Sequence, residues 1–369
     1  MRPKIVCDAA PFGYGPISKL VTLAKYLSED YDILFLSTAT AYDFLSNEDF
    51  ETVKTNTQDK SNYSANRKII EESDLYLNCM NRPSMALFSG LTKTAYVDSL
   101  FHMWDRIPEY LGNADYYFIQ RFPGVEEQDQ AFSGGIKNRI FVGPIIDDRF
   151  IDSEEGGNQL LVTMGGMESR LIRIGETSNY LPLMYSILKP VLEKSTYDRI
   201  IMTLPTNARN FLSSKHGGRI GIDFLERDDY LNTLSSSRAF MTTPGLTASL
   251  EGFGYGKPVY FLPSQNYSQY LNLKAFRAVG VADGSVDWND VCDCTINKGL
   301  PEADGIKKIL DVISLVDADA GKRTALSDRI DAMMSVDADS LAKKQGEFFR
   351  GLGGNGAHEI VKILRKELG

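Results

Sequence analysis

Short apolar runs alternate with longer amphipathic stretches along most of the chain. In the first part the apolar runs fall at 4–7, 33–36, 75–78, 94–97, 116–119 and 140–142. Between the first two runs, apolar residues recur at helical spacing from Ile17 to Leu27, after a turn that ends in Pro16. This alternation is typical of βαβ units and predicts a mostly parallel sheet.

A polar stretch at 147–159 interrupts this pattern and has the composition of an interdomain linker. A second series of apolar runs follows, at 159–164, 199–204, 221–224, 239–242 and 258–262, with helical patterns between them at 183–192, 230–236, 246–254 and 269–278. From Pro301 onward the pattern is helical, at 306–316, 322–334, 337–349 and 358–368. We therefore expect a Rossmann-like domain at 1–150, a second one at 151–335, and terminal helices at 336–369.

The amino-acid composition disfavours several classes of function. The chain has 369 residues, of which 43% are hydrophobic and 24% charged, as in an ordinary globular protein. Its net charge of −9 disfavours nucleic acid or an anionic lipid surface as a partner. No apolar run approaches the length of a membrane span, and the first one is too short for a signal peptide, so we expect a cytoplasmic protein.

The four cysteines are too few for a disulfide framework in so long a chain. Cys292 and Cys294 form a Cys-x-Cys pair, but no second pair lies near them in sequence to complete a zinc site. We expect neither a bound metal nor a cofactor.

The stretch from Ala239 to Pro263 is the most informative part of the sequence. Its pattern is strand, Thr-Thr-Pro-Gly turn, helix, Gly-x-Pro and strand. The turn that ends at Gly245 would leave free backbone N–H groups at a helix N-terminus, which favour a phosphate. Glu251 could then reach a pair of sugar hydroxyls beside that phosphate. The alternative is that Thr243 only caps the helix and Glu251 is a surface acid.

A loop rich in side-chain amides follows Pro263. Together, Gly245, Glu251, Gly256-Lys257-Pro258, Pro263 and Gln269-Tyr270-Leu271-Asn272 resemble the signature of the UDP-sugar glycosyltransferases and the lipid II-forming N-acetylglucosaminyltransferase. These enzymes have GT-B architecture. The resemblance implies an α/β fold with two doubly wound Rossmann-like domains facing across a cleft, and C-terminal helices that cross back onto the N-terminal domain.

The resemblance also implies a donor site. Glu251 would bind the nucleotide ribose and Gln269 the donor sugar, while the backbone at Leu225 would read the base. The family usually has a hydroxyl residue where this chain has Ala248, which leaves Thr247 and Ser249 as the flanking candidates for phosphate. The implied donor-binding residues are Gly13, Gly15, Gly165, Gly166, Leu225, Thr243, Gly245, Thr247, Ser249, Glu251, Gln265, Gln269 and Asn272.

The first domain departs from the family at the expected base. Gly13-Tyr14-Gly15-Pro16 resembles the Gly-x-Gly loop after the first strand, but Pro16 stands where many relatives have a histidine. Because proline has no proton to move, we look for the base in the loop after the run at 94–97. Asp98 and His102 are the candidate catalytic residues there. The alternative is a packed loop in which Asp98 caps a helix. The candidate acceptor contacts are Tyr14, Trp104 and Asp105.

The sequence thus predicts a metal-independent, inverting glycosyltransferase that uses a nucleotide sugar, in the first place a UDP-sugar. The acceptor would be a small molecule. The chain also has a more distant resemblance to enzymes like cytosylglucuronate synthase. This resemblance implies a pyrimidine base or nucleoside-type metabolite as one class of acceptor. The alternatives are a non-catalytic nucleotide-sugar-binding protein and a nucleotide-sugar hydrolase or epimerase on the same fold. A homodimer is compatible with the sequence.

Overall fold

The computed structural model describes residues 2–104, 106–132, 134–152, 157–166, 171–204, 208–209, 211–212 and 218–369. The chain divides into two compact units. Unit 1 contains Met1–Asp147 and Arg350–Gly369, and unit 2 contains Asp148–Phe349. No helix in the described ranges is long and apolar enough to cross a membrane.

Unit 1 is built on a parallel sheet with the strand order β3-β2-β1-β4-β5-β6-β7. Its described strands are β1 Lys4–Ala9, β2 Asp32–Ser37, β3 Glu51–Lys54, β4 Leu75–Cys79, β5 Thr94–Asp98, β6 Tyr116–Gln120 and β7 Arg139–Val142. Its helices before the linker are α1 Gly15–Leu27, α2 Ala39–Leu45, α3 Tyr63–Glu71, α4 Arg82–Phe88, α5 Glu109–Gly112 and α6 Val125–Phe132. Six strands match the predicted runs. β3 was not predicted, because Glu-Thr-Val-Lys at the sheet edge has no apolar run.

The two faces of this sheet differ in chemistry because side chains alternate along each strand. Ile5, Cys7 and Ala9 of β1 join the apolar core with the buried side of α1. Asp8 of β1 and Tyr96 of β5 belong to the other set of alternating positions and are also buried. The opposite face therefore carries buried polar groups near the carboxyl ends of its strands.

Unit 2 is built on a second parallel sheet with the order β10-β9-β8-β11-β12. Its described strands are β8 Gln159–Thr163, β9 Arg199–Thr203, β10 Ile220–Asp223, β11 Ala239–Thr242 and β12 Val259–Phe261. Its helices are α7 Tyr180–Lys194, α8 Arg227–Ser236, α9 Leu246–Gly254, α10 Tyr267–Ala278, α11 Glu302–Ala318, α12 Ala320–Met333 and α13 Ala338–Gly351. Each of these strands overlaps a predicted run, and α9 has the predicted bounds. Gly252 lets α9 approach the sheet, since a Cβ there would lie 2.5 Å from Val259 Cγ2.

The terminal helices divide between the units. In α13, Gln345 is fully buried, and its amide bonds to both the N–H and the carbonyl of Val259 in unit 2. The last helix, α14 (Gly356–Leu368), belongs to unit 1. Its apolar face, which includes Ile360 and Leu364, joins the core formed by β1 and α1. The chain passes from unit 2 to unit 1 at Arg350, within α13 rather than at the expected position 336.

Candidate functional site

In unit 2 the turns after β8 and β11 meet, because these strands are neighbours in the sheet. The backbone carbonyl of Gly165 is the centre of the contact. It accepts hydrogen bonds from Thr243 Oγ1 at 3.1 Å, from Gln269 Nε2 at 2.9 Å and from Gln265 Nε2. Gln269 Nε2 also donates to Thr243 Oγ1 at 3.2 Å. The structure thus brings together four of the residues that the sequence assigns to the donor site.

Gly166 completes this turn with a left-handed backbone conformation, φ +82°. A Cβ there would lie 2.7 Å from Gln269 Nε2 and 2.9 Å from Asn266 Nδ2. Only glycine fits both the conformation and the space. The backbone at this turn therefore packs directly against the amide-rich loop.

Two side-chain amide oxygens in this loop are buried without a hydrogen-bond partner among the described residues. They are Gln265 Oε1 and Asn272 Oδ1. The Asn272 Nδ2 donates to the Pro244 carbonyl at 3.1 Å, which holds the oxygen in place. Buried acceptors without donors are uncommon in folded proteins, and hydroxyl groups of a ligand would satisfy them.

The N-terminus of α9 begins at this cluster. Its cap residue, Gly245, has no side chain to cover the first N–H groups of the helix. Ser249 is fully buried, and its Oγ donates to the Gly245 carbonyl at 2.7 Å, so its hydroxyl is engaged by the backbone. Thr247 is half-buried and is the flanking hydroxyl nearer the start of the helix.

Glu251 is buried and paired, so it is not a surface acid. Arg227, the first residue of α8, donates from Nη1 to Oε2 at 3.2 Å and from Nη2 to Oε1. The side chains of Arg227 and Glu251 are 9% and 2% exposed. Tyr230 packs beside them, and burial, followed by the charge of Glu251, raises its pKa well above 10. Arg227 was not predicted as a site residue, because nothing in its spacing along the chain marks it as the partner of Glu251.

Leu225 lies between β10 and α8, as expected. Its backbone N–H donates to Thr203 Oγ1 at 3.2 Å. The preceding residue, Phe224, carries the guanidinium of Arg209 over its ring at 4.8 Å. A nucleotide base bound at Leu225 would therefore face a backbone N–H that already donates to Thr203 Oγ1.

In unit 1 the Gly-x-Gly turn leads into α1. Gly13 has φ +60° and an open space where a Cβ would be, and Gly15 is the first residue of the helix. The Tyr14 ring lies 5.8 Å from that of Phe44. Lys19, within α1, is 1% exposed and therefore buried.

Asp98 and Trp104 are brought together after β5. Asp98 is fully buried and accepts from Trp104 Nε1 at 2.7 Å, from Tyr117 Oη at 2.7 Å and from the Leu100 N–H at 2.9 Å. Burial raises the pKa of Asp98, and these three hydrogen bonds oppose the rise. The carboxyl group therefore holds the loop that follows β5, but it does not cap the short helix in that loop, whose N-cap residue is Leu100.

His102 lies in a short 3₁₀ helix, Phe101–Met103, next to this loop. Its ring packs against that of Phe122 with a centroid distance of 4.5 Å and an interplanar angle of 41°, and both of its ring nitrogens are buried. Asp105, an expected acceptor contact, lies outside the described residues. Trp104 has one ring face covered, because the guanidinium carbon of Arg82 lies 4.3 Å from its ring centroid. Arg82 is a further residue that sequence reasoning missed.

No family model matches the chain, and no curated protein sequence matches it. Solved structures do. The spinosyn forosaminyltransferase SpnP is 12% identical over 100% of both chains, with a TM-score of 0.56. Arabidopsis thaliana UGT89C1 complexed with quercetin is 14% identical over 100% of both chains, with a TM-score of 0.54. Phytolacca americana UGT2, complexed with UDP-2fluoro-glucose and pterostilbene, is 18% identical over 95% of this chain and 100% of its own, with a TM-score of 0.51.

The fold is GT-B. At this level of identity the likeness concerns the fold, and the chemistry must be argued from side chains. Within this GT-B fold, the carboxyl end of the unit 2 sheet carries the buried amides, the uncapped helix and Glu251. No cluster of three or more His, Cys, Asp or Glu side chains that could hold a metal occurs in the described part of the chain.

Proposed function

We propose that this protein is a metal-independent, inverting glycosyltransferase that moves a sugar from a UDP-sugar to a small-molecule acceptor. The observation that carries the proposal is the pair of buried amide oxygens, Gln265 Oε1 and Asn272 Oδ1, beside the N-terminus of α9. A ligand that offers hydroxyls next to a diphosphate is the complement of such a site. The Phytolacca americana neighbour is complexed with a UDP-sugar analogue, which supports the same donor class here.

Glu251 supports a ribose contact. A carboxylate has about four lone-pair positions on its two oxygens, and the guanidinium fork of Arg227 uses one position on each. At most one acceptor position therefore stays on each oxygen, and the neighbouring Tyr230 hydroxyl, which interacts with this carboxylate, competes for one of them. Two neighbouring hydroxyls, as on a ribose, match this arrangement.

The reaction would be a single displacement. A nucleophilic atom of the acceptor forms a bond to the anomeric carbon, and the bond from that carbon to the diphosphate oxygen breaks, so the configuration inverts. The N–H groups and the dipole at the start of α9 would stabilise the charge on the departing UDP. The acceptor proton would pass to His102, because Asp98 already accepts three hydrogen bonds.

Calorimetric titration with UDP and with 2′-deoxy-UDP tests the donor site. A hydrogen bond to a charged acceptor is worth about 1.5–3 kcal/mol, so we expect UDP to bind about ten-fold or more tightly than the deoxy form. Glu251→Gln should reduce this preference. Glu193→Gln, in an exposed pair with Lys189, is the matched control and should keep it. Equal binding of the two nucleotides by the unaltered protein would contradict the ribose assignment, and absence of UDP binding would contradict the function.

A second candidate function is binding of a nucleotide sugar without transfer. The burial of Asp98 and of both ring nitrogens of His102 favours it, because neither group presents an open face to an acceptor. UDP release in the presence of a broad set of small acceptors separates the two functions. Release that depends on the acceptor and falls strongly in His102→Gln supports transfer. UDP-sugar binding with no release under any condition supports the binding protein.

A further inference from the structure

Arg82 is held at two points at the carboxyl end of β4 in unit 1. Its guanidinium carbon lies 4.3 Å from the ring centroid of Trp104, and its Nη2 donates to the backbone carbonyl of Arg106 at 3.2 Å. Trp104 is in turn held by its bond to Asp98. The guanidinium is therefore positioned before any ligand arrives, which reduces the entropy that binding would cost.

The Arg82 guanidinium makes no ion pair within the part of the chain that the structure describes, although its charge acts on the buried Asp98. Among the described residues, no carboxylate lies within 4 Å of its guanidinium, and only one of its N–H groups finds an acceptor. Arg139, Arg149 and Arg277, whose side chains are each 30% exposed, pair with Asp129, Asp228 and Asp290 at 2.7–2.9 Å. A half-buried arginine without a carboxylate leaves N–H donors for an anion.

The Tyr96 hydroxyl, in the strand beside β4, is a second donor for which no acceptor is found among the described residues. Tyr96 is fully buried in β5, the strand beside β4, and its hydroxyl has no hydrogen-bond partner among the described residues. Burial, followed by the charge of Asp98, raises the pKa of Tyr96 well above 10, and the charge of Arg82 partly opposes that rise, so the hydroxyl keeps its proton. The neighbouring Asp98 accepts hydrogen bonds from Trp104, Tyr117 and the Leu100 N–H, and the charge of Arg82 also acts on it.

We propose that Arg82, stacked on Trp104, binds the oxyanion group of a small anionic molecule, a carboxylate or a phosphate, with the Tyr96 hydroxyl of the neighbouring strand as a second donor. N–H and O–H donors without acceptors are the complement of an oxyanion, and the guanidinium fork matches both groups. If unit 1 holds the acceptor, as the proposed function requires, this molecule is the acceptor, and acceptors with an acidic group are preferred. The anion site itself does not depend on that function.

Tryptophan fluorescence gives a direct test. The chain has two tryptophans, and Trp288 is fully buried in unit 2, so it gives a constant background to Trp104. The probes are benzoate, its neutral isostere benzamide, and inorganic phosphate, each at constant ionic strength. We expect saturable quenching by benzoate, by phosphate or by both, and none by benzamide. A response to benzoate alone assigns the site to carboxylates, and a response to phosphate alone assigns it to phosphates.

Variants connect the signal to Arg82. Arg82→Met keeps the aliphatic contact with Trp104 and should weaken anion binding about ten-fold or more. Arg82→Lys should retain part of the affinity, and Tyr96→Phe should weaken it by a smaller factor. Arg106→Met, which removes an exposed cation from the same segment, is the matched control and should leave it unchanged. Equal responses to benzoate and benzamide, or unchanged benzoate affinity in a folded Arg82→Met protein, would overturn the proposal.

This result is separable from the donor test. Arg82→Met should leave the UDP affinity unchanged, since Arg82 and Glu251 are in different units. If the unaltered protein binds benzoate through Arg82 but does not bind UDP, the anion site stands and the glycosyltransferase proposal fails. The opposite pattern removes the anion site and leaves the donor assignment intact.

Discussion

Arg227 donates from both terminal nitrogens of its guanidinium to the two carboxylate oxygens of Glu251. Both side chains are nearly inaccessible, at 9% and 2% exposure. If one of the two side chains is removed, the charge of the other stays buried, with neither a counter-charge nor water to stabilise it. The ion pair therefore connects the start of α8 to the middle of α9.

Arg227→Met should be strongly destabilising, since it leaves Glu251 buried without a counter-charge. Removal of one partner of a buried pair costs about 3–5 kcal/mol. The double variant Arg227→Met with Glu251→Gln leaves no unpaired charge and should regain much of that loss. Calorimetric unfolding of both single variants and the double variant measures the coupling.

Arg238→Met is the control for this comparison, because Arg238 pairs with Asp339 at the surface, at 58% and 87% exposure. Exposed pairs contribute about 0–1 kcal/mol. A double variant as unstable as the sum of the singles would mean that Arg227 and Glu251 contribute independently.

Gly166→Ala should weaken nucleotide binding. The left-handed conformation costs an L-residue about 1–2 kcal/mol, and the new Cβ would displace the Gln269 amide that holds the turn. Gly280→Ala separates the two effects, because Gly280 has φ +76° and no atom within 4 Å of the added Cβ. Both variants should lose stability, and only Gly166→Ala should lose affinity for UDP in titration calorimetry. A similar loss of affinity in both would point to a general effect of strain.

The sequence predicted most of the strands, and it marked the residues proposed for the donor site, because both depend on local pattern. Buried parallel strands are apolar runs, and the spacing of Gly245, Glu251 and Gln269 is visible along the chain. The edge strand β3 lacks an apolar run and was not predicted. Unit boundaries follow long-range contacts, such as that of Gln345 with Val259, which no local pattern reveals.

The partners of site residues could not be predicted for the same reason. Arg227 reaches Glu251 over 24 residues, and Arg82, the first residue of α4, reaches Trp104 in the segment after β5. Local pattern suggested Asp98 as a base, but the tertiary structure surrounds it with three donors. Sequence identifies the residue types that a site needs, whereas their protonation and access depend on neighbours distant in the chain.

Gln345→Leu should destabilise unit 2. β12 is the edge strand of its sheet, and the Gln345 amide bonds to the Val259 N–H at 2.8 Å, to the Val259 carbonyl at 2.9 Å and to the Val281 carbonyl at 3.0 Å. Each buried backbone group left without a partner costs about 1–3 kcal/mol. Denaturant unfolding should show a loss of about 3 kcal/mol or more for Gln345→Leu. Lys344→Ala removes only an exposed pair with Asp283 and should change stability by less than about 1 kcal/mol.

Because of Asp8, the free energy of unfolding should decrease as the pH rises. The carboxyl group is 2% exposed and accepts from Tyr76 Oη at 2.6 Å and from Asn81 Nδ2 at 2.9 Å. Burial raises its pKa above the usual 3.8, and its hydrogen bonds only partly oppose this. The folded state therefore binds the proton more tightly than the unfolded state. The contribution of Asp8 is full below about pH 3.8 and is lost as the pH rises through the raised pKa.

Asp8→Asn cannot ionise, so it should remove this part of the pH dependence. Unfolding free energies measured from pH 4 upward should decline less steeply in the variant than in the unaltered protein. Asp331→Asn, at an exposed position on α12, should leave the slope unchanged. Burial also raises the pKa of Asp98. Asp98 therefore contributes a pH dependence of stability in the same direction, and Asp8→Asn should keep part of the decline. A variant with the same slope as the unaltered protein would mean that Asp8 is ionised to the same extent in the folded and unfolded states.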